Sequence, residues 1–135
     1  MSAKIPAQHL FELAKAFHSL SNVIGDYRFS NWDSLTPAQR ADLEAKEWTL
    51  FNTSSDLNAK SVLLKTEILD EELQTIRTCT REMQAVTQKI ENAKKIIAVA
   101  AKAIAFGGAI YLAASTGNVA IMIPAAKSLI SEIQS

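Results

Sequence analysis

Residues 57–114 read LNAKSVLLKTEILDEELQTIRTCTREMQAVTQKIENAKKIIAVAAKAIAFGGAIYLAA, with no Gly or Pro before Gly107. Within them Val62, Leu69, Ile76, Met83, Ile90, Ile97, Ile104 and Tyr111 follow one another at steps of seven. Apolar spacing sustained at seven is a coiled-coil signature, because underwinding to about 3.5 residues per turn keeps one stripe facing a partner. The pattern predicts a single long helix over about 57–114, roughly 85 Å at about 1.5 Å per residue. The second seam position is poor: Lys65/Thr66, Glu72/Leu73, Cys79/Thr80, Val86/Thr87 and Ala93/Lys94 follow three or four residues behind. That mixture does not suit a free two-stranded rod, so the expectation is a helix packed in an elongated bundle or hairpin.

Toward the C-terminus, no charged residue lies between Lys102 and Lys127, and Lys89, Lys94, Lys95 and Lys102 precede the run. Ser115-Thr116-Gly117-Asn118 reads as a helix end and turn, since Gly and Asn tolerate left-handed backbone. Pro124 can open a last helix over 124–134 carrying Leu129, Ile130 and Ile133. The run is thus expected to be an apolar helical hairpin bent at Gly117. Ala101, Ala105, Ala109, Ala113 and Gly117 form a ridge of small residues at steps of four, over which another backbone can approach closely. The chain's own helices, another protein chain, or lipid must cover a segment that is apolar nearly all round.

Toward the N-terminus, Leu10, Leu13, Phe17, Leu20, Ile24 and Tyr27 recur at three- and four-residue steps and predict a helix over 6–27. Thr36-Pro37-Ala38-Gln39 offers a capping hydroxyl, a first-turn proline and a glutamine that reaches back, so a second helix is expected over 37–51. Asn52-Thr53-Ser54-Ser55-Asp56 are residues whose short polar side chains compete for backbone hydrogen bonds, and a break or kink is expected there. The fold class is therefore all-α, with residues 1–135 forming one helical domain.

Charge and motifs narrow the chemistry. Fourteen basic residues balance fourteen acidic ones, so global charge gives no long-range attraction to nucleic acid. Arg77 and Arg81 lie one helical turn apart and can reach neighbouring phosphates, but no aromatic residue lies between Phe51 and Phe106 to stack on bases. Nucleic acid is not an expected partner. Cys79 is the one cysteine, and no intrachain disulfide can form. On the seam side of a helix it is expected to be an inert core thiol. His9 and His18 fall on opposite faces of one helix, which rules out a shared metal or catalytic site there. Asp70-Glu71-Glu72 reads as a solvated face that also suits the start of a helix dipole. Gly107-Gly108 lacks the strand and lysine of a phosphate loop. No enzyme activity, cofactor, metal site or small-molecule substrate is expected. The N-terminus shows no secretory signal peptide, and the expected location is cytoplasmic, or at a membrane if the apolar segment inserts.

Two functional readings follow. In the first, the protein is a non-catalytic helical interaction protein that binds a partner chain or a second copy through the seam from Val62 to Tyr111 and the small-residue ridge. In the second, it is membrane-active: residues 96–126 insert or dock at a bilayer, with Phe106, Ile110, Leu112, Ile121 and Ile123 as lipid contacts and Lys94, Lys95 and Lys102 at the anionic surface. A long heptad-bearing helix topped by an apolar hairpin resembles the layout of α-helical pore-forming toxins, and also that of small helical adaptors and immunity-type proteins. That likeness is one of arrangement, covers no specific residues and transfers no functional site.

Overall fold

A computed structural model of the chain describes residues 2–59, 67–86 and 92–135. The described residues form five α-helices: α1 (Ala7–Ser30), α2 (Pro37–Ala59), α3 (Asp70–Ala85), α4 (Ala93–Thr116) and α5 (Met122–Gln134). One short antiparallel β pairing accompanies them: β1 (Ser2–Lys4) lies against β2 (Glu67–Leu69), with Ala3 opposite Ile68. The all-α class is as expected. The β pairing has no counterpart in the sequence reading, because three-residue strands carry too little periodicity to be seen.

Helices α1 and α2 form an antiparallel hairpin. Ser54 Oγ donates to the Ala14 carbonyl at 2.8 Å, Ser21 Oγ to the Glu47 carbonyl at 3.1 Å, and Arg28 pairs with Glu47 at 3.2 Å and Glu44 at 3.5 Å. The cap foreseen at Thr36 is complete: Gln39 N–H donates to Thr36 Oγ1, and Thr36 N–H donates to Gln39 Oε1. The break expected at 52–56 is absent, and α2 runs through to Ala59. The competing hydroxyls are satisfied without breaking the helix. Thr53 and Ser55 donate back to the carbonyls of Thr49 and Phe51, and Ser54 reaches across to α1.

The single helix over 57–114 is corrected to three separate elements: the end of α2, then α3, then α4, with β2 ahead of α3. Two starts interrupt it. Leu69 is extended at φ −71° and ψ 148°, and Glu72 reaches back to accept its N–H, with Asp70, Glu71 and Glu72 forming the acidic first turn of α3. Asn92 is extended at φ −157° and ψ 170°, and its side chain accepts the Lys95 N–H to cap α4. Each start resets the helical phase, so a seven-residue count carried across them no longer follows one face.

The C-terminal hairpin forms as expected. Gly117 ends α4 at φ +71°, donating its N–H to the Ala113 carbonyl at 2.8 Å. A 3₁₀ turn at Val119–Ile121 leads into α5, whose Pro124 sits in the first turn, where its missing N–H costs nothing. Lys95 Nζ donates to the carbonyls of Glu132 and Ser135, which closes the far end of the hairpin.

The helices close a ring: α1 packs on α2 and α3, α5 on α3 and α4, and α4 returns to α2. One core fills it, with Phe17 stacked on Phe106 at 5.9 Å between ring centres. Helices α2 and α4 approach closely at Gly107, where a Cβ would meet Thr53 Cγ2 at 3.1 Å, tighter than an ordinary contact. Inward rows are Ile76, Cys79, Thr80 and Met83 in α3, continued by Val86 at its end, and Ile96, Val99, Ala103, Phe106, Ile110 and Ala113 in α4.

Candidate interaction surface

The inward row of α4 stands one residue before the seam read from the sequence. Ile96, Ala103 and Ile110 are buried, whereas Ile97, Ile104 and Tyr111 are half-buried beside them. The other seam residues divide as well. Ile76 and Met83 lie in the chain's own core, Leu69 is exposed in β2, and Val62 and Ile90 lie outside the described residues. The small-residue ridge also splits along its length. Ala101, Ala105 and Gly117 are exposed, Ala109 is half-buried and Ala113 is buried.

The half-buried seam residues Ile97 and Ile104 and the exposed ridge residues Ala101 and Ala105 therefore adjoin on the outward side of α4. Ile97, Ala101, Ile104, Ala105, Gly108 and Leu112 run along it, with Leu112 57% exposed and Lys94 and Lys102 exposed toward its N-terminal part. A surface helix of a globular protein normally turns charged residues outward. This one presents aliphatic and small side chains on both sides. At one edge, the Tyr111 hydroxyl donates to the Asp56 carboxylate of α2. Burial and that bond push the phenol up to about 12.

The residues named as lipid contacts do not share a surface. Phe106 and Ile110 are buried, Ile121 and Ile123 are half-buried, and Leu112 is exposed. Lys94 and Lys102 are exposed, whereas Lys95 is held by the end of α5 and by Glu132 at 3.7 Å.

A second apolar surface crosses the outer side of the α1–α2 hairpin, and the sequence reading missed it. Phe11, Lys15 and His18 from α1 meet Trp48 and Phe51 from α2. His18 and Phe51 are 5.8 Å apart between ring centres, Trp48 and Phe51 5.9 Å, and Lys15 Nζ lies 5.7 Å from the Phe11 ring. Phe11 is 53% exposed and Trp48 57%. The available signal was that Phe11, Lys15 and His18 share a helical face next to the buried row, as do Trp48 and Phe51.

Between α1 and α3 lies a groove of about 330 Å³, lined by Gln8, His9 and Glu12 on one side and Arg77, Thr80, Arg81 and Gln84 on the other. Glu12 accepts from the Gln8 amide at 2.9 Å and from the Gln84 amide at 3.3 Å. Among the described residues His9 Nδ1 is buried without a hydrogen-bond partner, and burial together with the Arg77 charge holds the imidazole below its ordinary pKa. His18 is on the aromatic surface, well apart from His9 in role. Cys79 is fully buried, its thiol pushed up to about 12 by burial and by Glu82. Among the described residues no three His, Cys, Asp or Glu side chains gather to hold a metal.

Comparison with known proteins returns no match to a family model, to a curated protein or to a solved structure.

Proposed function

We propose that this chain is a non-catalytic helical interaction protein that docks another helical surface, a second copy or a partner chain, on the outward face of α4. The observation that carries the reading is the exposed row of Ala101, Ala105, Gly108 and Leu112, flanked by half-buried Ile97 and Ile104, on a helix whose opposite face already serves as core. Ala101, Ala105 and Gly108 let a partner backbone approach closely, and Leu112 offers a knob at the end of the row. The aromatic surface of Phe11, Trp48 and Phe51 is a further attachment point of the kind enriched at protein interfaces.

Sedimentation equilibrium of the pure protein tests self-association, with Leu112→Asp as the variant. A concentration-dependent oligomer that becomes monomeric in Leu112→Asp supports docking between copies. A monomer in both proteins removes the second copy as partner, and crosslinking from Ala105→Cys in cell extract then reads a heterologous chain. Failure of both refutes the reading.

One observation favours a membrane-active alternative: α4, at 24 residues, is the described helix long and apolar enough to cross a bilayer. In that reading residues 96–126 dock or insert, with Lys94 and Lys102 at anionic lipid. Much of α4 serves as the core of this fold, so insertion would require the bundle to open. Flotation with anionic liposomes discriminates: protein that stays at the bottom of the gradient eliminates this alternative.

A further inference from the structure

We propose that the groove between α1 and α3 is a binding site for a phosphate-class oxyanion, held by the guanidinium groups of Arg77 and Arg81. The site is independent of the α4 surface. Arg77 and Arg81 stand four residues apart on one face of α3, an arrangement in which like charges repel unless something sits between them. One turn to either side, the helix offers no acid to relieve it: the neighbours three and four residues away are Leu73, Gln74, Thr78, Thr80, Gln84 and Ala85. Among the described residues neither guanidinium forms an ion pair. Arg81 donates only to Thr78 Oγ1, at 3.3 Å.

The carboxylate lining the groove, Glu12, is engaged by two glutamine amides, one from each wall. Arginines left over in a concave site are the donors that planar or tetrahedral oxyanions select, because each offers a fork of N–H groups. The groove volume of about 330 Å³ suits a small ligand rather than a duplex or a folded partner. His9 lies beside these groups in the groove lining, its imidazole held below its ordinary pKa by burial and, after that, by the Arg77 charge. A phosphate monoester would take the two guanidinium groups on its terminal oxygens, and Glu12 would set a limit on affinity by repulsion.

The experiment is a titration of the full-length protein, followed by amide and arginine side-chain NMR, with inorganic phosphate and separately with glycerol 3-phosphate. Chloride at matched ionic strength is the control. Saturable shifts confined to the groove below about 10 mM are expected. Equal response to both probes identifies the free ion as sufficient, and tighter binding of glycerol 3-phosphate identifies an organic phosphate whose substituent fills the groove; either supports the site. Arg77→Gln and Arg81→Gln should each weaken binding about tenfold. Glu12→Gln should tighten it, and Lys102→Gln should leave it unchanged. Arg81 is exposed, so its replacement tests the site even if Arg77→Gln proves unstable. Absence of saturable shifts with both probes overturns the proposal. So does an affinity that Arg81→Gln leaves intact, or one that Glu12→Gln weakens.

Discussion

Burial decides the reactivity of the two side chains here that most resemble chemical groups in waiting. Cys79 is fully enclosed between Ile76 and Met83, and with its pKa pushed up to about 12 it carries almost no thiolate at neutral pH. Alkylation by iodoacetamide at pH 8 should therefore be negligible in the native protein and complete in urea, as read by intact mass. For His9 the sign is the opposite. Its folded pKa lies below the ordinary 6.5, so the unfolded chain takes up the proton first as pH falls. The stability tied to this group is complete above about 6.5 and is lost as pH drops from there toward the native value. Arg77, Arg81 and Glu12 are the charged groups around it. A proton NMR titration should find His9 below 6.5 and should move it upward in Arg77→Gln. An unmoved value would remove Arg77 as a cause.

The helices owe their boundaries to caps. Thr36 and Gln39 exchange two hydrogen bonds at the start of α2, and Asn92 holds the start of α4 through the Lys95 N–H. Replacing either Thr36 or Asn92 by Ala should cost about 1 kcal/mol, checked by urea denaturation with unchanged slope. The cap at Thr36 was plain in the sequence because proline and glutamine stood beside it. The one at Asn92 was hidden inside an apolar period that ran on in step across it. The acidic first turn of α3 was visible too, as Asp70-Glu71-Glu72, but inside a presumed long helix it read as a solvated face. Local start signals therefore outweighed seven-residue spacing, since a capped terminus fixes backbone geometry while a period records only where apolar residues fall.

Taken as a ring of helices, the molecule uses α4 twice, as a wall of its own core and as an outer side on which Ala101, Ala105, Gly108 and Leu112 are exposed. Ile110 and Leu112 lie two residues apart and belong to these two roles. Ile110→Asp should unfold the protein, because it puts an unpaired charge in the core, whereas Leu112→Asp should leave the thermal midpoint nearly unchanged. Circular dichroism melts of the two variants check this. A folded Ile110→Asp would contradict the inward row of α4. The same division bears on the proposed docking: a substitution on the inner row reports stability, and one on the outer row is the test of the proposal.

Helix content, the cap at Thr36, the turn at Gly117 and the C-terminal hairpin could all be read from residues close together in the chain, because capping, glycine geometry and amphipathic spacing are local. The passage of α2 through Asn52 to Asp56, the pairing of β1 with β2, and the assignment of Ile96 rather than Ile97 to the core could not. They depend on partners far away in sequence: Ala14 accepting from Ser54, Ala3 pairing with Ile68, and Phe17 meeting Phe106 across the ring. The groove is a product of the same kind, since Glu12 and Gln84 stand 72 residues apart and meet only when α1 packs on α3.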